Sequence, residues 1–173
     1  SFKDDKLLIQ ALTHKSFDTK NNYEKLEFLG DRVLGFVISK KLLELYPNEK
    51  VGMIDKKLAN LVNKNKCFEI GKELELDNYI LTGNTEKKKK VNIEKKIISD
   101  CCESLIGAIY IDKGFEVSSK FILNYWKNYL NLSDITVIDS KTRLQEYSLK
   151  KFKALPIYKL ISNTGPRHKP NFK

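Results

Sequence analysis

From Leu26 to Leu45 one apolar face recurs at helical spacing without interruption. Leu26, Leu29, Val33, Leu34, Val37, Ile38, Leu42 and Leu45 fall at steps of three and four until Pro47, which cannot continue a helix. A helix of roughly 24 residues with such a face needs a hydrophobic core to lie against. Further helical stretches surround it. Leu7, Leu8 and Leu12 follow an acidic start at Asp4 and Asp5, and other segments run from about Ile54 to Ile70, ending near Gly71, from Asn92 to Ile111, ending at Gly114, and from Glu116 to Leu130. A short one covers Asp77 to Leu81, and Gly83-Asn84 marks a turn. No segment of the first 130 residues alternates as a strand, so this part is expected to be an all-helical domain.

Composition changes after Leu130. Residues 131–140 mix short polar side chains with β-branched ones and read as a linker. Thr142 to Lys151 reads as a helix, Pro156 to Ser162 as a strand and Asn163 to Pro170 as a Gly/Pro loop. One helix and one strand cannot bury a core, so residues 141–173 are expected to be the opening part of a second, α+β domain. With Ser1 in place of Met, the chain reads as a fragment at both ends.

Charge follows the same division. Nine basic side chains face two acidic ones over residues 135–173, against 23 and 20 over the rest, within a total of +10. A basic tail suits a polyanion, and no amphipathic basic helix with a broad apolar face points to a membrane surface. No apolar run reaches the roughly 18 residues of a membrane span, and no leader pattern is visible, so the expected place is the cytoplasm. Cys67, Cys101 and Cys102 are odd in number and form no C-x-x-C pair, which argues for reduced, buried thiols.

Two acidic groupings carry the chemistry. Glu24, Glu27 and Asp31 stand at i, i+3 and i+7 and line one stripe of the long helix. Like charges so spaced destabilise a helix by a few tenths of a kcal/mol per pair. The stripe is therefore either a solvated face or a cation site. Asp100 and Glu103 lie three apart in Ile97–Ala108, an otherwise apolar helix that should pack inside. Burying two unpartnered carboxylates costs several kcal/mol, so they need Lys or backbone donors, or a metal. Together the two groupings favour a hard divalent cation held by Glu27, Asp31, Asp100 and Glu103, with all-oxygen ligation suited to Mg²⁺ or Mn²⁺.

Glu24-Lys25-Leu26-Glu27-Phe28-Leu29-Gly30-Asp31 resembles the signature octapeptide of the ribonuclease III family. Ala11-Leu12-Thr13-His14-Lys15-Ser16 resembles the N-terminal motif of that family, and Asp100 to Ala108 its second acidic motif. Lys141 to Glu146 with Gly165-Pro166-Arg167-His168 resembles the opening half of its double-stranded RNA-binding domain. The resemblance implies a mainly α protein: an all-helical endonuclease domain over 1–130, a linker over 131–140 and a truncated binding domain over 141–173. It implies an Mg²⁺-dependent endoribonuclease that cleaves double-stranded RNA to 5′-phosphate and 3′-hydroxyl ends with short 3′ overhangs in rRNA and mRNA processing. Glu27, Asp31, Asp100 and Glu103 would ligate the metal, Asp31 and Glu103 would be catalytic, and Glu24 would position RNA or a metal-bound water.

The same resemblance implies RNA contacts from Gln145, Glu146, Arg167 and His168, and a homodimer. Phe28, an aromatic among the carboxylates of the signature helix that would otherwise be exposed, is expected to pack into the other subunit, with the core of its own chain as the alternative. His14 reads as a structural or capping residue, and Lys87–Lys90 as a solvated loop with phosphate contact as the alternative. One departure from the family pattern stands out: Val51 occupies the place of an accessory glutamate before Gly52, with Glu49 as the nearest acid. The competing readings are a non-catalytic double-stranded RNA-binding protein on this scaffold and a basic helical DNA-binding protein. Retention of all four acids opposes the first, and the lack of a helix-turn-helix pattern opposes the second.

Overall fold

The computed structural model describes residues 2–83, 93–132, 140–159, 163–164 and 171–172. The chain divides into two compact units, Ser1–Ile135 and Thr136–Lys173. The first contains six α-helices among its described residues: α1 (Asp5–Ala11), α2 (Glu24–Leu45), α3 (Val51–Leu61), α4 (Lys64–Glu73), α5 (Lys95–Lys113) and α6 (Phe115–Leu132). A single 3-10 turn, Leu76–Asn78, stands where a helix over Asp77–Leu81 was expected.

Helix α5 is the axis of this unit. Every residue from Ile98 to Ile109 is buried, and α1, α2, α4 and α6 all pack against it. Leu34, Ile38 and Leu42 of α2, Ile70 of α4, Cys101, Cys102 and Ile106 of α5, and Ile122 and Trp126 of α6 form the centre of the core. The thiols of Cys67, Cys101 and Cys102 are free and buried. Gly114 ends α5 at φ +81°, a left-handed conformation that glycine adopts without steric cost.

Where α2 crosses α5 the backbones nearly touch. A Cβ on Gly30 would lie 1.7 Å from the Glu103 carbonyl oxygen, and one on Gly107 would lie 2.2 Å from that of Leu26. Only glycines allow this approach. It brings the first turns of α2, with their carboxylates, onto the middle of α5.

The stretch read as one helix over Ile54–Ile70 is two helices, starting earlier at Val51 and broken at Val62-Asn63. Asn63 causes the break. Its side-chain NH2 donates to the carbonyls of Ala59 (3.2 Å) and Asn60 (2.9 Å), while its side-chain oxygen accepts the Lys66 amide (3.1 Å). One residue thus closes α3 and caps α4. Helix α4 then runs through Gly71, whose missing side chain admits Ile98 of α5.

The segment from Ala11 to Ser16 fastens α1 to the site-bearing helices. Ser104 Oγ on α5 donates to the Ala11 carbonyl (2.6 Å), the Tyr23 amide donates to the Thr13 carbonyl (3.0 Å), and Thr13 forms a parallel bridge with Leu81. The His14 ring lies 2.7 Å from Ser16 Oγ through Nδ1 and tilts against Tyr23.

In the second unit α7 (Ser140–Phe152) is followed by an antiparallel pair, β1 (Asn163–Thr164) and β2 (Asn171–Phe172). The strand expected over Pro156–Ser162 is corrected: 156–159 carry no strand, and 160–162 lie outside the described residues. Strand backbone needs a partner ladder, and the pairing present is made by residues further along. Among the described residues no helix is long and apolar enough to cross a membrane.

Candidate metal and nuclease centre

Three carboxylates converge where α2 meets α5. Glu27 from the first turn of α2, and Asp100 and Glu103, three residues apart on one face of α5, bring one oxygen each to within 4.8 Å of one another. The Asp100 and Glu103 side chains are only 2% and 3% exposed. Such burial disfavours three charges together unless a cation joins them.

The cation is Lys64, the first residue of α4. Its Nζ lies 3.0 Å from Glu27 Oε1, 2.6 Å from Asp100 Oδ1 and 2.8 Å from Glu103 Oε2. Burial alone would lower the pKa of this ammonium, but hydrogen bonds to Asp100, Glu103 and Glu27 outweigh it and raise the pKa above the ordinary lysine value. Burial pushes the Glu103 carboxyl above the usual glutamate value, against the opposing pull of Lys64. Asp100 has two further neighbours, the Tyr23 hydroxyl, which donates at 3.5 Å, and Lys96 Nζ at 3.5 Å. Burial and the Asp100 charge drive the Tyr23 hydroxyl upward, so it stays protonated as a donor.

Sequence reasoning left open that a lysine satisfies the buried acids, but it did not identify Lys64. One local signal existed. A lysine in the first turn of a helix opposes the dipole, which suggests an anion waiting nearby.

Above the cluster lies an open depression of about 350 Å³ lined by Glu24, Glu27, Phe28, Asp31, Arg32, Lys64 and Glu103. Asp31 is on its wall, but its carboxylate is paired with the adjacent Arg32 and lies outside the three-oxygen group. Its charge is close enough to contribute to raising the Glu103 pKa. Glu24 stands at the rim and pairs with Lys15 at 3.0 Å. Phe28 is 66% exposed, with the Arg32 guanidinium 5.0 Å above its ring. Glu49 lines a separate depression with Leu45, Tyr46, Pro47 and Asn48, and Val51 begins α3 exposed to solvent.

Of the residues expected to contact RNA, Gln145 is half-buried on α7. Glu146 is on the same helix, but its side chain is not described, and Arg167 and His168 lie outside the described residues, as do Lys87–Lys90.

The donor set fits a hard divalent cation: all oxygen, anionic and clustered around one point that already holds a positive charge. The fold is shared with solved nuclease domains. A ribonuclease III nuclease domain from Campylobacter jejuni, described for a region involved in dimer formation, superposes with a TM-score of 0.69 at 37% identity, covering 76% of this chain and 92% of that one. Dicer from Pichia stipitis shares the fold at a TM-score of 0.60 and 19% identity, over 96% of this chain and 77% of that one. Fold and site thus define an all-helical nuclease domain with a carboxylate centre.

The sequence comparisons narrow the class. The family model for Ribonuclease-III-like domains matches residues 4–130. Ribonuclease 3 of Pelagibacter ubique is 66% identical over 172 residues, 99% of this chain and 77% of the relative, and Ribonuclease 3 of Wolbachia sp. subsp. Brugia malayi is 40% identical over 99% and 73%. The chain belongs to the ribonuclease III family.

Proposed function

We propose that the depression over Glu27, Asp100 and Glu103 is the centre at which this chain hydrolyses phosphodiester bonds of double-stranded RNA with a divalent cation, Mg²⁺ or in its place Mn²⁺. As a member of the ribonuclease III family the chain is an endoribonuclease of double-stranded RNA. The observation that carries the reading is the convergence of three carboxylate oxygens within 4.8 Å around one positive charge, at the floor of an open depression.

In this reading Glu27, Asp31, Asp100 and Glu103 would hold the cation. When bound, the cation supplies the activation of water, the neutralisation of phosphate charge and the stabilisation of the leaving 3′ oxygen. The chain's own groups do the rest. Asp31 and Glu103 fix the catalytic geometry, Glu24 at the rim orients the RNA or a water, and Tyr23 holds Asp100 in place by its hydroxyl. The products are 5′-phosphate and 3′-hydroxyl ends with short 3′ overhangs, in the maturation of ribosomal and messenger RNA in the cytoplasm.

Residues 141–173 act as the first part of a double-stranded RNA-binding domain, with Gln145, Glu146, Arg167 and His168 on the minor groove and phosphates. The nuclease domain works as a homodimer, since a duplex needs two cuts and each chain brings one acidic centre. Phe28, apolar and exposed beside that centre, packs into the partner subunit.

The test is cleavage of a long RNA duplex by Asp31→Asn and Glu103→Gln. Each should lose cleavage in Mg²⁺ while retaining nearly full duplex binding, because a charge is removed from the centre and none from the basic tail. Near wild-type cutting by either variant would overturn the assignment.

A further inference from the structure

The Lys64 ammonium occupies the place where the reading above puts a divalent cation, and the inference that follows rests on that reading. Its contacts of 2.6–3.0 Å are charge-assisted hydrogen bonds. A metal would use the same oxygens at roughly 2.0–2.1 Å for Mg²⁺. The two cations would compete for the same oxygen atoms and repel each other, which favours occupation of the centre by one of them at a time.

The partners are unequally anchored. Asp100 and Glu103 are fixed on the buried α5, with side chains 2% and 3% exposed. Lys64 is 51% exposed, sits on the first residue of α4 and reaches the acids along a flexible four-carbon stem. The lysine is the member able to leave without disturbing the core. Its solvent side is the depression lined also by Arg32, Asp31 and Glu24.

The geometry points to Lys64 as a built-in counter-cation: it neutralises the buried acids of the metal-free protein and is displaced into the depression when a divalent cation binds. Metal loading is then a cation exchange. Glu27, Asp100 and Glu103 stay gathered without metal, and the apparent metal affinity is set partly by how firmly Lys64 holds them. If the ammonium is seated about nine-tenths of the time, apparent affinity is weakened about ten-fold.

Two measurements test this. In titration calorimetry with Mn²⁺, Lys64→Gln should bind about ten-fold tighter than the wild type. Lys66→Gln, which removes the same charge from a lysine paired with Glu69 instead, should stay within about two-fold. In the wild type, reductive methylation of Lys64 read by mass spectrometry should be slow without metal and accelerate on saturation with Mg²⁺, a readout that does not depend on the variant folding. Equal Mn²⁺ affinity of Lys64→Gln and wild type, or Lys64 reactivity indifferent to bound Mg²⁺, would overturn the exchange while leaving the metal centre standing. Absence of Mn²⁺ binding by wild type and Lys64→Gln alike would remove the metal centre itself, and the exchange with it.

Discussion

Replacing Gly30 by alanine tests the fold and the site at once. The added Cβ would meet the Glu103 carbonyl oxygen at 1.7 Å, the Glu103 carbonyl carbon at 2.7 Å and the Gly107 nitrogen at 2.8 Å. All three are backbone atoms, so no flexible side chain can swing aside. To bring the shortest contact to even 3.0 Å, α2 and α5 must separate by about 1.3 Å. Overpacking a core costs typically 1–3 kcal/mol, and a collision between two backbones belongs at the upper end, about 3 kcal/mol. For a chain of this length that lowers the melting temperature by about 6–12 °C. The separation also draws Glu27 on α2 away from Asp100 and Glu103 on α5, and a misplacement of about 1 Å at a catalytic centre costs on the order of 100-fold in rate. Gly35→Ala, on the same helix with nothing within 4 Å of its Cβ, is the control. It should gain about 0.5–1 kcal/mol from helix propensity and keep its activity. Thermal melts by circular dichroism and duplex cleavage at saturating Mg²⁺ decide the matter. A Gly30→Ala protein that melts and cuts like the wild type would refute the claim that this crossing sets the site.

Other perturbations probe separate parts. Trp126 is fully buried and its indole N–H donates to the Leu61 carbonyl at 2.8 Å, so Trp126→Phe should lose about 1–3 kcal/mol in urea unfolding; no loss would mean that the carbonyl finds another partner. Phe28→Ala should weaken the proposed dimer by about 1–3 kcal/mol in sedimentation equilibrium and leave the fold intact, whereas a wild type that is monomeric at micromolar concentration would refute the dimer. The Asp112 carboxylate accepts the Lys3 amide at 2.9 Å and the Asp4 amide at 3.2 Å and pairs with Lys113, so Asp112→Asn should speed hydrogen exchange at those two amides without changing Mn²⁺ binding. Burial opposes ionisation of Asp112, but those hydrogen bonds and Lys113 hold its carboxyl below the ordinary aspartate value. Its contribution is therefore present above the unfolded pKa and lost as pH falls through the lower folded one, so the wild type should show the same loosening in acid.

Much of the centre was legible because burial of charge is costly. Asp100 and Glu103 in an apolar helix announced that something must neutralise them, and the spacing of Glu24, Glu27 and Asp31 announced a second acidic stripe. Less legible was which acids would meet. Glu27 joins the α5 pair, whereas Asp31 and Glu24 turn to Arg32 and Lys15. The break at Asn63 was missed although residues 63–66 are all polar, because apolar faces lie on both sides of that run and the double role of one side-chain amide divides the helix.

The sequence by itself determined most of the helices of the first unit, through periodicities of three and four residues, and the presence of an acidic centre, through carboxylates placed where a core must form. Tertiary structure alone decided the composition of that centre. Lys64 is 36 residues from Asp100 and 37 from Glu27, and it reaches them because α4 starts beside the point where Gly30 and Gly107 let two backbones nearly touch. Periodicity reports which face of each helix is buried. Which oxygen meets which ammonium depends on the depth and register at which the helices pack, and that is settled by the whole core together.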